Sequence, residues 1–205
     1  MSIIKLSNNG VKNATAFGSV SSGAMTFIKK LTASSSGTLS FVDGSSSVVL
    51  DNTYKEYLFT FNNIHPATDA TGFTFQADTG TNTNYNQTIT STHFQARHNE
   101  DGSDGNLAYN TGRDQAQGTA FQPISNTIGN DNDQSLSGYL QIFNPSSSVF
   151  VKHFISTTQH SQDAQYTFNP FCAGYFNTTT ALTRFQFKMS SGNIDAGDIC
   201  LYGIA

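Results

Sequence analysis

Five histidines, His65, His93, His98, His153 and His160, are the side chains best able to move a proton or hold a metal near neutral pH. Their spacing supports neither role. There is no His-x-His or His-x-x-x-His pair and no Cys-x-x-Cys beside them, so they read as strand-face or loop residues. The stretch Asn99-Glu100-Asp101-Gly102-Ser103-Asp104-Gly105-Asn106 is dense in the hard oxygen donors that calcium takes. With Asp101 as the first loop position its glycine falls at the second and no glutamate follows at the twelfth, so it predicts a solvated turn; Gly129-Asn130-Asp131-Asn132-Asp133 reads the same way. Glu56 and Glu100 are the only glutamates, which leaves a paired-carboxylate hydrolase dependent on aspartates in turn-like sequence. Phosphate-cradling glycine loops and the Gly-x-Ser-x-Gly elbow are missing. The sequence therefore predicts no catalytic residue, no cofactor and no metal site, and a protein that is not an enzyme.

The elements that would position any site follow from composition. Ser, Thr, Asn and Gln fill 80 of the 205 positions, whereas charged residues make up only 12%. Such a chain is neither a coiled coil nor an acidic tail, and its 10 Lys and Arg are too few to release counterions from a nucleic-acid backbone. Seventeen Phe and eight Tyr supply apolar surface for one sizeable core, so the polar richness does not signal disorder. No run approaches the ~20 apolar residues that cross a bilayer, and Met1-Ser2-Ile3-Ile4-Lys5 does not begin a secretory signal, so the chain is expected to be soluble without membrane insertion. Cys172 and Cys200 are too few for a disulfide framework and are expected to be free, half-buried thiols.

Residues 1–23 are rich in small polar residues without a helical period and predict an extended arm, with Ile3, Ile4 and Leu6 as its apolar attachment anchor. From residue 24 onward, short apolar runs alternate with Ser, Gly, Asn and Asp clusters, the pattern of an all-β sandwich occupying 24–205. In Tyr57-Leu58-Phe59-Thr60-Phe61 the aromatics share one strand face, and in Thr183–Met189 Phe185, Phe187 and Met189 point inward while Arg184, Gln186 and Lys188 point outward. Further strands are expected near 25–32, 37–43, 73–75, 88–97, 136–143 and 171–177. Val149–Ile155 and Ile199–Ile204, apolar on both faces, predict strands central in a sheet or under a partner, making about ten in all. Breaks are expected at Asp43-Gly44, Ala77-Asp78-Thr79-Gly80, Asn144-Pro145, Asn177–Thr180 and Ser190–Asn193, and the one candidate helix is Arg113–Gln117.

The stretches Tyr54–Pro66, Tyr109-Asn110-Thr111-Gly112-Arg113-Asp114, Gly174-Tyr175-Phe176-Asn177-Thr178-Thr179 and Phe187–Asp195, with Leu201-Tyr202-Gly203-Ile204 at the end, resemble a family of small virion proteins of marine tailed phages, cyanophages and pelagiphages in particular. The resemblance covers roughly residues 25–205. It implies a structural protein of the virion, a tail-fibre, tail-tip or capsid-appendage component made in the host cytoplasm, and brings no catalytic residues with it.

Pattern and resemblance together predict a jelly-roll-like antiparallel β-sandwich with a short extended N-terminal arm, assembling as a homotrimer and meeting other virion proteins through that arm. A carbohydrate- or receptor-binding module is the alternative function. Its contact with a host glycan would lie in the long middle loop, where Tyr109 offers a ring and Asn110, Arg113 and Asp114 offer planar hydrogen-bonding groups. The competing role for Arg113 and Asp114 is a local ion pair or loop brace.

Overall fold

The computed structural model describes residues 24–162 and 165–205. The expected arm, with Ile3, Ile4 and Leu6, lies outside the described residues. The rest is all-β, and no helix occurs among the described residues. Twelve strands follow in order: β1 (Met25–Thr32), β2 (Leu39–Val42), β3 (Glu56–Pro66), β4 (Phe73–Thr79), β5 (Ile89–Asn99), β6 (Gly105–Tyr109), β7 (Gln122–Pro123), β8 (Leu136–Phe143), β9 (Lys152–Gln162), β10 (Tyr166–Phe176), β11 (Leu182–Met189) and β12 (Ile194–Ile204). They form an eight-stranded sheet in the order β1-β12-β3-β8-β9-β10-β5-β6 and a four-stranded sheet in the order β2-β11-β4-β7, every pair antiparallel.

The sheets pack face to face because period-2 alternation gives each an aromatic face. Phe59 and Phe61 of β3 meet Phe187, Phe185 and Phe73 from the opposite sheet at ring separations of 5.1 to 5.5 Å. Phe41 of β2 reaches Phe59 at 5.2 Å, and Phe75 of β4 meets Phe154 and Phe176. Edge-to-face contacts dominate, the arrangement that ring quadrupoles favour. Gly203 allows close approach in β12: a Cβ there would run into the ring of Tyr54.

Several sequence expectations need correcting. Arg113–Gln117 is not a helix. Arg113 N–H closes a turn onto Asn110 O, Gln115 N–H is held by Ser91 Oγ, and Gln117 sits at a φ of 55°, outside helical space. Val149 and Phe150 are not strand residues: they precede β9 and are 69% and 67% exposed. Within Ile199–Ile204 the two faces differ, since Ile199 and Leu201 are fully buried in the core while Cys200, Tyr202 and Ile204 lie on the outer side, half-buried. β10 begins before Pro170 rather than after it. Proline has no N–H for the ladder, and Asn169 Nδ2 donates to Thr158 O at 2.6 Å in its place. Ala77-Asp78-Thr79 is likewise strand rather than break, for the reason given next.

Candidate functional site

Among the described residues β4 departs furthest from simple alternation: Phe73 through Asp78 are all buried. Phe73, Phe75 and Ala77 face the aromatic core. Thr74, Gln76 and Asp78 face the other way and are covered by segments from the connections flanking β5, β6 and β7. Gln76 Nε2 donates to Gln87 O and Ala120 O at 3.0 Å. The Asp78 carboxylate accepts from Tyr85 N–H at 2.9 Å, Gln87 Nε2 at 3.0 Å and Thr79 N–H at 2.8 Å. Lys188, on the neighbouring strand, sets its ammonium 4.1 Å from the Phe121 ring. The middle of the long 99–135 stretch is thus a structural cover, carrying β6 and β7 and closing the outer side of the smaller sheet. Replacing Asp78 by Ala strands buried donors and is expected to cost about 2 kcal/mol, read as a lower urea midpoint. Exposed Asp131→Ala should leave that midpoint unchanged, and an equal midpoint for the two variants would contradict the assignment.

The cover also decides where the four glycan candidates stand. Tyr109 ends β6 and is exposed, its hydroxyl donating to Asp114 Oδ2 at 2.6 Å. That bond raises the phenol's pKa. Asn110 Oδ1 accepts from Gly112 N–H and braces the turn. Arg113 turns inward: its Nη1 donates to Ser125 O at 3.3 Å, and desolvation lowers its pKa. Tyr109 and Asp114 are therefore brought together, and Arg113 acts as a loop brace inside the cover without forming an ion pair with Asp114.

Inside the sandwich, beneath this brace, lie His93 of β5 and His160 of β9. Both are fully buried, and among the described residues none of their ring nitrogens has a hydrogen-bond partner. His160 stacks on Phe168 with ring centres 5.2 Å apart. Desolvation, with Arg113 adding repulsion, pushes His93 down to about 4 and His160 down to about 3. Both are neutral at pH 7. Cys172, the cross-strand neighbour of His93, is buried and pushed up to about 12, so it is an inert thiol; Cys200 is half-buried and also free. The acidic 99–106 stretch is the β5–β6 turn, with Asn99 and Asp101 side chains capping backbone N–H groups two residues on. Among the described residues no cluster of three or more His, Cys, Asp or Glu is placed to hold a metal.

The feature with the greatest reach is the outer face of the eight-stranded sheet. Strand pairing sets one row of side chains straight across it: Lys30, Cys200, Thr60, Tyr139, Thr157, Phe171, Phe94 and Tyr109. The adjacent row reads Phe27, Tyr202, Leu58, Gln141, Ile155, Ala173 and Thr92. Alternate residues on these strands are buried in the core, so both rows point away from it. No part of the described chain covers this face: Phe27 is 56% exposed and Ile155 46%. Among the described residues the two rows hold one charged side chain, Lys30, at the edge and paired with Asp198 at 3.1 Å. Phe27 meets Tyr202 edge-on at 5.6 Å, and Phe94 stacks on Phe171 at 5.0 Å with the rings 7° from parallel. Ile155, Phe94, Phe171 and Ala173 line a shallow concavity of about 210 Å³.

Compared with known proteins, the chain matches no family model, and neither a curated protein nor a solved structure is significantly similar to it.

Proposed function

We propose that the chain is a structural subunit of a phage virion, an oligomeric sandwich in a tail fibre, tail tip or capsid appendage, and that it performs no catalysis. The observation that carries the reading is the uncovered, charge-poor face of the large sheet, along which Phe27, Tyr139, Ile155, Phe94 and Tyr109 stand exposed. An assembly component uses such a face. The sequence resemblance to virion proteins of marine phages supplies the kind of assembly. A jelly roll is supported by one feature of the strand order: successive strands alternate between the sheets across the β1–β4 stretch, and the smaller sheet packs on the larger through β3, β9 and β10. Low charge also suits a particle that persists outside a cell, because hydroxyl and amide side chains pair across interfaces without the desolvation cost of buried ions. Closed three-fold symmetry is the form proposed for the oligomer.

The second reading, contact with a host glycan, keeps one supporting observation: the exposed Tyr109 ring, held in place by Asp114. Mass spectrometry of gradient-purified particles tests the structural role. The protein should co-purify with infectious virions at a fixed stoichiometry and resist a high-salt wash. Recovery in the infected-cell lysate but not in the particles would refute it.

A further inference from the structure

Resting on the structural role just proposed, we infer that the occupant of the outer face of the eight-stranded sheet is a second copy of this chain. Three observations point to a copy. The first is charge. A surface that meets its own kind must not bring like charges together, and across two residue rows spanning the sheet the described residues place a single charged group, Lys30, at the extreme edge and already paired. Among the described residues the rows on either side add only Asp198, which pairs with Lys30, and Glu56, which accepts from Gln141 Nε2. A nucleic acid would find one cation there, Lys30, already paired.

The second is ring orientation. Phe94 and Phe171 occupy paired positions on neighbouring strands and stack on each other, 7° from parallel. Their planes therefore stand upright on the sheet and their edges point outward. A pyranose stacks on an open ring face, whereas upright rings interdigitate with side chains of an opposing protein layer. The concavity beside them, lined by Ile155 and Ala173, is a socket for an apolar side chain rather than a cleft for a polar ligand.

The third is area. Eight strands about 4.8 Å apart span about 34 Å, and up to four outward positions per strand, about 7 Å apart, span about 21 Å. The product, about 700 Å², approaches the roughly 800 Å² that one partner contributes to a standard stable interface. The core residues are already buried, so the gain on assembly comes from Phe27, Phe94, Tyr139 and Ile155.

Light scattering across micromolar concentrations, with Ile155→Asp and Phe94→Asp as perturbations and circular dichroism to confirm folding, tests this. The wild type should show a multiple of the chain mass, each variant should fall to the monomer, and Val149→Asp, exposed but off the face, should change nothing. A monomeric wild type, or folded variants that keep the assembled mass, would overturn the inference. Should both variants fail to fold, hydroxyl-radical footprinting of the wild type decides: Tyr139, Phe94 and Ile155 should be protected relative to Phe150 and lose protection on dilution. Equal modification at all concentrations would overturn it. A chain that enters virions yet never self-associates would refute the self-contact alone, and a self-associating chain absent from virions would refute the virion role alone.

Discussion

Truncating Phe187 to Ala is expected to destabilise the protein by about 3–5 kcal/mol. Phe187 is fully buried at the point where the sheets meet, with the rings of Phe41, Phe59, Phe61, Phe73 and Phe75 all within 6.4 Å. Three strands besides its own contribute those rings, so collapse of any one neighbour cannot fill the void. Set against typical net stabilities of about 5–15 kcal/mol, the loss is large enough to move the urea midpoint and melting temperature unmistakably. Tyr139→Ala, which removes an outer-face ring of similar size, should leave the stability of the separated subunit nearly unchanged. Comparable losses for the two would contradict the placement of the core.

Acid is the second large lever. His93 and His160 have pKa values depressed from about 6.5 to about 4 and about 3 because burial disfavours the imidazolium and Arg113 repels it. The unfolded chain takes up these protons as pH falls through 6.5, and the folded chain does not until far lower pH. Protons thus bind preferentially to the unfolded state, and stability, full above pH 7, is lost progressively from pH 6.5 down to about 4 for His93 and about 3 for His160. Each site contributes roughly 3–5 kcal/mol at saturation. The melting temperature should fall steeply over that window, and His160→Leu should flatten the fall. A melting temperature constant from pH 7 to 4.5 would show that neither histidine is held neutral.

The core was legible because its strands obey a strict period of two: Phe59, Phe61, Phe185 and Phe187 are buried as their alternation with polar residues requires. Elements that break the pattern were not. β4 is legible only as far as Phe75, because Gln76 and Asp78 look like solvent-facing or turn residues until a distant loop supplies their partners. The strand expected near 171–177 begins at Tyr166, ahead of Pro170, because the side-chain donor replacing that proline's missing N–H lies in the preceding residue's rotamer, not in its type. Val149 and Phe150 read as strand on hydropathy alone, although Ser147 Oγ accepts both their N–H groups and bends the chain before β9. The buried state of His93 and His160 depends on which segment folds over them, and single-residue spacing carries no trace of that. The outer face was only half legible. Cys200 and Tyr202 do sit in an apolar run, but the rows joining them to Phe171, Phe94 and Ile155 exist only once the strand order is fixed.

If this sandwich is an assembly component whose large sheet is completed by a neighbour, a cryo-electron-microscopy reconstruction of the intact virion will show the contact. The density of the sandwich should lie on a rotational symmetry axis, with the face bearing Ile155, Phe94 and Tyr139 packed against another copy of the chain. A reconstruction that leaves this face open to solvent, or one without the protein, would contradict the account.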